Sequence, residues 1–364
     1  MMKIKLAILD SDQGYISRVV SAFQSKYADK VEVYAFTDES KALAAIKASK
    51  INVLFAADSF KSVSESVPSN CGFAYLVETR DIEQYAGQRA VCKFQKVEQL
   101  YNAIADLFAD SAADEVIVGG GRSAAMPLYV FASASGGVGT STVAVAVAKS
   151  LVAFGRTPLY INFENFGSSD LYFSGDGQTN FGDVIYAIKS RKPNLAFKLE
   201  ATAKRDVSGV YYYASNTNAL DTEELSNEEI NSLIRSLKQT GFCDCMVIDV
   251  NLSVGDRILA LFKLASKIVF VSDGTDVSNT KLTRAYDALQ ILESSRGVDA
   301  VGKAALFFNK FSNKTGKRPE IAALPDIGGT TKFEHMTTDQ IIRKMLAEHT
   351  ATPIIRYLTE SEKI

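Results

Sequence analysis

SASGGVGTST occupies residues 133–142, between an apolar run at 128–131 and an alanine- and valine-rich stretch at 142–153. A strand, a glycine-rich turn and a helix in this order are the context of a phosphate-binding loop. The three glycines let the backbone curl tightly and point its N–H groups inward. With the positive end of the following helix, those amides form an anion site that needs no charged side chain. The predicted nucleotide-binding residues of this loop are Ser135, Gly136, Gly137, Val138, Gly139, Thr140, Ser141 and Thr142.

The loop has no lysine. Thr140 stands directly ahead of Ser141, in the position where a phosphate-binding loop carries the lysine that reaches the phosphates. We therefore predict a loop that holds a nucleotide but is poorly equipped to cleave it.

Composition limits the classes of protein that the chain can belong to. Its 364 residues suggest two domains, and 47% hydrophobic with 23% charged residues allow a substantial core. A net charge of −2 without a basic tail argues against direct DNA binding. No apolar stretch reaches the roughly 18 residues of a membrane span, so we expect a soluble, cytoplasmic protein. Four cysteines do not make a disulfide framework, and two histidines make a histidine-based site improbable.

Apolar runs alternate with helical periodicity along the whole chain, which predicts an α/β protein of two doubly wound parallel-sheet domains. A receiver-like (flavodoxin-like) domain is expected at 1–109, a small and polar linker at 110–127, and a P-loop nucleotide-binding domain at 128–364. The first domain should have strands at 3–9, 31–35, 53–57, 74–77 and 90–93, with helices at 15–26, 39–48 and 97–108. The second should have strands at 128–133, 157–163, 210–214, 245–250, 267–271 and 304–309, with helices at 141–153, 181–190, 227–240, 256–265, 281–294 and 340–347.

Polar residues stand at the ends of the second domain's predicted strands, where ligands bind in such sheets. Asn162 and Glu164 follow the second strand, Asp249 ends an apolar run as in a Walker B strand, and Asn309 ends the last strand. We predict that Ser141, Glu164 and Asp249 hold Mg²⁺ and that Asn309 hydrogen-bonds a base. Each residue alone is better explained as turn punctuation, but together, behind a three-glycine loop, they favour nucleotide binding.

The order and spacing of these motifs over residues 128–357 resemble the MinD/ParA group of P-loop ATPases. Further similarity lies at 169–175 (SDLYFSG), 211–215 (YYYAS) and 242–249 (FCDCMVID). The resemblance implies ATP and Mg²⁺ as cofactors and a homodimer as the working form. It also makes the differences informative: Ser135 replaces the family's signature lysine, Thr140 the loop lysine, and Asn162 the aspartate that positions the attacking water.

Three altered groups predict weak ATP hydrolysis or none, because phosphoryl transfer depends on charge stabilisation and positioning. Asn162, Glu164 and Asp249 remain the candidate catalytic residues. A basic residue from elsewhere is an open alternative for the missing lysines, with Arg257, Lys263 and Lys281 as candidates. Each of these three is also explained as a solvated surface charge.

The N-terminal part resembles a two-component receiver domain with a degraded site. Asp10 and Asp12 match the first strand's acids, although the second of the paired acids falls on Ser11, and Lys93 and Thr79 match the receiver lysine and hydroxyl residue. Ala57 falls on the phospho-acceptor position, with Asp58 one residue late. We expect a non-phosphorylated pseudo-receiver that serves as a binding module rather than a working receiver. Asp10 and Asp12 are then turn and helix-cap residues.

A degenerate receiver fused to a lysine-poor MinD-like domain resembles the TadZ/CpaE family, the localisation proteins of Tad (Flp) pilus assembly systems. The resemblance implies recruitment of pilus and secretion assembly proteins at the cell pole or the inner membrane face. The short acidic tail is unlike an amphipathic anchor, so no direct membrane anchor is expected. Two other functions stay open: an active partitioning-type ATPase, and a regulator gated through phosphorylation of the receiver.

Overall fold

The computed structural model describes residues 3–111, 126–192 and 194–360. The chain divides into two compact units. Unit 1 comprises Met1–Arg122, Tyr186–Thr202 and Ser236–Gly241, and unit 2 comprises Ser123–Ile185, Ala203–Arg235 and Phe242–Ile364. Two segments of the predicted second domain (128–364), residues 186–202 and 236–241, therefore belong to unit 1. Most of the predicted linker, residues 112–125, lies outside the described residues, so its role as a linker stays a prediction.

Unit 1 contains a six-stranded sheet with the strand order β2-β1-β3-β4-β6-β5. Its strands are β1 (Ile4–Leu9), β2 (Val31–Phe36), β3 (Val53–Ala57), β4 (Gly72–Val77), β5 (Gln84–Tyr85) and β6 (Gln88–Cys92). Its first three helices are α1 (Gln13–Lys26), α2 (Glu39–Ser49) and α3 (Val97–Asp110). The strands other than β5 pair in parallel, in the flavodoxin-like order, and β5 adds an antiparallel hairpin. All five strands predicted for this domain are present, and the predicted fold class is confirmed.

The local sequence explains these elements. All five residues of β3 are buried, as expected for a central strand covered by helices on both faces. Asp12 begins α1 by accepting the N–H of Tyr15 at 2.9 Å, and Asp38 begins α2 in the same way with Lys41.

Unit 2 is built around an eight-stranded sheet with the order β14-β13-β12-β7-β11-β8-β10-β9. The strands are β7 (Leu128–Ser133), β8 (Pro158–Asn162), β9 (Lys204–Arg205), β10 (Tyr211–Tyr212), β11 (Cys245–Asn251), β12 (Lys267–Ser272), β13 (Ala304–Phe311) and β14 (Asp326–Thr331). The helices after α3 are α4 (Thr140–Ala153), α5 (Phe181–Lys189), α6 (Leu195–Thr202), α7 (Ala219–Glu223), α8 (Asn227–Gln239), α9 (Asp256–Leu264), α10 (Asp276–Arg296), α11 (Thr338–Ala347) and α12 (Thr352–Thr359).

Strand pairing brings the predicted site residues to one edge of this sheet. β7 pairs in parallel with β11 and β12, and β11 also pairs in parallel with β8. In this register Asp249 lies opposite both Phe131 and Asn162. The loop that follows β7 and the carboxyl ends of β8 and β11 therefore meet, as the doubly wound pattern requires.

The structure departs from the prediction in the less apolar segments. β14 was not predicted, because its sequence Asp-Ile-Gly-Gly-Thr-Thr has one large apolar residue. β9 pairs antiparallel with β10, so the sheet is not wholly parallel. No helix in the described ranges is long and apolar enough to cross a membrane.

Candidate functional site

The glycine-rich loop of unit 2 has the backbone of an anion-binding turn. Gly137 and Gly139 have φ values of +77° and +88°, which L side chains rarely adopt. The side chain of Val138 between them is buried at 2% exposure and anchors the loop to the core. Gly139 is the N-cap of the 14-residue helix α4, so the loop ends at the positive end of a helix.

Two consecutive residues of β13 hold this loop from the side. The Asn309 Nδ2 donates to the carbonyl of Val138 at 2.7 Å, and the Lys310 Nζ donates to the carbonyl of Gly137 at 2.7 Å. Asn309 is buried and Lys310 is exposed. Asn309 thus has a role in supporting the loop that the sequence did not indicate, while its predicted contact with a base stays a prediction.

An acidic group lies at the carboxyl ends of β8 and β11. Asp249 is fully buried, and its Oδ2 accepts hydrogen bonds from the Tyr160 hydroxyl at 2.8 Å and from Asn162 Nδ2 at 3.4 Å. The same Asn162 amide donates to Glu164 Oε2 at 3.3 Å, while its Oδ1 accepts the Glu164 N–H at 2.7 Å. Asn162 therefore bridges the two carboxylates that the sequence predicted as Mg²⁺ ligands.

Burial and the negative charge of Glu164 raise the pKa of Asp249 from 3.8 to about 7. The hydroxyls of Tyr160 and Ser141 act in the opposite direction, because they favour the ionised carboxylate. A buried carboxyl group whose ionised form is disfavoured by a neighbouring carboxylate is one that a bound cation would stabilise.

Several polar atoms of the site have no protein partner, which is what a ligand site requires. The buried Ser135 Oγ, Thr140 Oγ1 and Asp249 Oδ1 make no hydrogen bond to any residue that the structure describes. Two hydroxyls beside the loop suit phosphate oxygens, and an acceptor beside Glu164 suits Mg²⁺ or its water. The described residues contain no group of three His, Cys, Asp or Glu side chains that could hold a metal.

A cavity of about 680 Å³ adjoins the loop. Its lining includes Thr142, Asn309 and Lys310 on one side and the segment 332–338 on the other. This volume lies within the range of small-molecule sites.

The three basic residues predicted as alternatives for the missing lysines make none of the loop contacts described above, although Arg257 lies at Asn165, next to Glu164. The Arg257 guanidinium donates to the Thr222 carbonyl at 2.6 Å, to Asn165 Oδ1 at 3.0 Å and to Glu223 Oε2 at 2.8 Å. Lys263 and Lys281 are exposed on helices α9 and α10. Lys310 does contact the loop, and the sequence prediction missed it. Its position directly after Asn309 at the end of a strand was the available signal.

In the receiver-like site of unit 1, the acidic side chains already have partners within the protein. Asp10 and Lys93 form an ion pair at 2.7 Å, with 2% and 10% of their side chains exposed. The other Asp10 oxygen accepts the N–H of Asp12, whose own carboxylate caps α1. Asp58 follows the end of β3 and Thr79 is exposed after β4. The acids that would coordinate a cation in a receiver thus have structural partners here.

Replacing Lys93 with Met should destabilise unit 1 by about 3 kcal/mol, because it leaves the buried Asp10 carboxylate without its cation. Thermal unfolding would measure the loss, and the double variant Lys93→Met/Asp10→Asn should recover most of it. Lys26→Met is the matched control, since the Lys26–Glu98 pair is more exposed and should contribute well under about 1 kcal/mol. Equal effects of both single substitutions would contradict a structural role for the Asp10–Lys93 pair.

Known protein families and solved structures include matches to the N-terminal domain and to the fold of the rest of the chain. Residues 2–109 match the family described as "TadZ-like, receiver domain". No curated protein sequence matches the chain. Among solved structures, the chain is similar to a ParA family ATPase from Chlorobium tepidum TLS. Sequence identity is 16% and the TM-score 0.51, over 64% of this chain and 97% of that chain.

Two MinD structures are also similar. One is the MinD cell division protein of Aquifex aeolicus, at 17% identity and a TM-score of 0.48 over 65% of this chain and 98% of that chain. The other is the septum site-determining protein MinD from Pyrococcus horikoshii OT3, complexed with Mg-ADP. There the identity is 18% and the TM-score 0.44, over 65% of this chain and 96% of that chain. The N-terminal domain thus matches the TadZ-like receiver model, and the rest of the chain has the fold of a ParA family ATPase.

Proposed function

We propose that the protein is an ATP- and Mg²⁺-binding localisation scaffold for Tad (Flp) pilus assembly that hydrolyses ATP weakly or not at all. One observation carries the proposal: the groups that hold phosphates are kept while those that cleave them are replaced. The glycine turn, the helix α4 N-terminus and the unpartnered Ser135 and Thr140 hydroxyls provide for binding. The loop lysine is absent and Asn162 stands in place of an acid.

Ser141, Glu164 and Asp249 are the residues that would hold Mg²⁺ beside the bound phosphates. The cation would neutralise phosphate charge and favour the ionised form of Asp249, whose pKa is raised in its absence. The nucleoside would occupy the cavity of about 680 Å³ between the loop and segment 332–338.

The hydrogen bonds of Asn162 support weak hydrolysis. Its amide is committed to Asp249 and Glu164, and its oxygen to the Glu164 backbone. A neutral amide held in this way cannot take a proton from a water molecule. Lys310 at the loop is the one observation that favours the second candidate, an active partitioning-type ATPase, because it returns a cation to the site.

The role in pilus assembly rests on the TadZ-like receiver match and on the family resemblance of the whole chain. We propose that unit 1 is a binding module for pilus or secretion assembly proteins, which bring the cytoplasmic protein to the cell pole or inner membrane face. The ion-paired Asp10 and the helix-capping Asp12 support a module that is not phosphorylated. A working receiver would acquire an acyl phosphate on Asp58 when treated with acetyl phosphate, and we expect none.

A homodimer is supported by two exposed apolar side chains that follow the site. Phe166 and Leu171 are 85% and 83% exposed, within a few residues of Glu164. The double substitution Phe166→Asp/Leu171→Asp should abolish the dimer in sedimentation analysis with Mg-ATP while leaving the melting temperature unchanged. Val207→Asp, at a side chain that is 96% exposed elsewhere, is the matched control and should remain dimeric. A dimer that survives the double substitution would remove this face from the proposed interface.

Calorimetric titration with Mg-ATP, Mg-ADP and adenosine tests the proposed nucleotide site. We expect saturable binding of ATP and ADP to the full chain and much weaker binding of adenosine, because the loop recognises phosphate. No binding of ATP would contradict the proposal.

A further inference from the structure

We propose that Lys310 supplies, from the end of β13, the cation that the phosphate loop itself lacks. It acts as a positioning residue: it fixes the loop through Gly137, and its charge favours the bound phosphates. This inference rests on the proposed nucleotide-binding function and deepens it, because it names a residue that brings a positive charge to a loop whose own lysine position holds Thr140.

The strand is distorted where it delivers this side chain. Consecutive residues of a regular strand point to opposite faces, yet Asn309 and Lys310 both reach the loop. Lys310 has a φ of +60°, which is uncommon for a residue other than glycine, and the β13–β14 register shifts between Phe308 and Phe311. Such irregularities re-aim side chains and persist where the surrounding structure requires them.

The two hydrogen bonds turn the loop's amides towards the predicted phosphate site. In a trans peptide the C=O and the N–H point in opposite directions. When Lys310 holds the Gly137 carbonyl, the Val138 N–H of that peptide unit points the other way. When Asn309 holds the Val138 carbonyl, the Gly139 N–H does the same. Two successive donors are thereby presented away from β13, as in an anion-binding nest.

The ammonium group also places a positive charge at the loop. The Lys310 Nζ lies 2.7 Å from a loop carbonyl, and Lys310 lines the cavity beside the loop. Preorganised donors and a fixed charge need no reorganisation when the anion binds. The effect should therefore grow with the number of phosphates on the ligand.

Affinities of the full chain for Mg-ATP, Mg-ADP and adenosine, measured for the wild type, Lys310→Met and Lys310→Arg, test this inference. Lys310→Met should weaken ATP binding by about tenfold and adenosine binding by less than about twofold, and Lys310→Arg should keep most of the ATP affinity. Lys314→Met is the matched control: this exposed lysine lies four residues further along the chain, neither lines the cavity nor is among the donors to the loop, and its loss should change ATP affinity by less than about twofold.

The melting temperature of Lys310→Met should equal that of the wild type. The side chain at this position is exposed, and a methionine at the same positive φ is strained as much as the lysine is. The inference is overturned if Lys310→Met binds ATP as the wild type does. It is also overturned if ATP and adenosine lose affinity in parallel, because Lys310 would then only line the nucleoside cavity. Wild-type protein that binds no ATP would instead overturn the proposed function together with this inference.

Discussion

Gly139→Ala is expected to reduce the affinity for Mg-ATP by about 100-fold. Gly139 has a φ of +88°, so any side chain there strains the backbone. A Cβ atom would also overlap the Nδ2 atom of Asn309, which holds the Val138 carbonyl. The substitution therefore displaces the side chain that orients the loop, at the residue where helix α4 begins. Titration calorimetry measures the loss.

Gly136→Ala is the matched control within the same loop. Its φ is not positive and a Cβ there would meet no protein atom within 4 Å, so the apo fold should be as stable as the wild type. Gly302→Ala, in the turn before β13, controls for the general effect of replacing a glycine with alanine outside the loop. A Cβ atom there makes only an ordinary contact with Asp299. Wild-type ATP affinity in Gly139→Ala would show that the loop is not the phosphate site.

Asp249→Asn should move Mg²⁺ affinity and fold stability in opposite directions. Loss of the carboxylate should weaken Mg²⁺-dependent ATP binding by about tenfold or more, because a neutral amide is a poorer ligand for this cation. The same change removes a fully buried charge that faces Glu164, so the metal-free protein should melt at a higher temperature at pH 8. The two measurements separate a ligand role from a purely structural one.

The stability difference should depend on pH in a defined sense. Since the pKa of Asp249 is raised from 3.8 to about 7, the folded state keeps a proton that the unfolded state releases between these values. Wild-type stability relative to Asp249→Asn should therefore fall by about 1.4 kcal/mol per pH unit between pH 5 and 7, and level off above. Asp287→Asn, at an exposed carboxylate on α10, should show no such trend. A pH-independent difference for Asp249→Asn would mean that Asp249 is ionised throughout.

The sequence predicted the elements whose signal is local. The bounds of β3 and β7 agree residue for residue with the prediction. β3 is an apolar run between Asn52 and Asp58, and β7 is an apolar run that begins after Pro127 and ends at Ser133. The meeting of the loop with Asn162, Glu164 and Asp249 followed from the rule that ligands bind at the carboxyl ends of parallel strands. The sequence therefore predicted which polar residues lie at this edge of the sheet, but not the distances between them.

Features that depend on distant partners were not predictable. Lys198 and Glu200 of helix α6 are buried because they pair with Asp106 and Lys30, residues far away in the sequence. Their charges hide the apolar pattern of that helix. The position of Lys310 directly after Asn309 is visible in the sequence, but its contact with the loop depends on a register shift and a positive φ, and a lysine gives no sequence signature for either.

The proposed function requires that the protein hold ATP without consuming it. The most direct test incubates the full chain with a large molar excess of Mg-ATP, then measures the nucleotide that stays bound to the chain and the phosphate released in the same sample. We predict that the bound nucleotide stays ATP, with fewer than about one turnover per chain per hour, as slow as an unassisted P-loop site. Steady release of several phosphates per chain per minute, lost in Lys310→Met, would contradict the claim and identify an active ATPase.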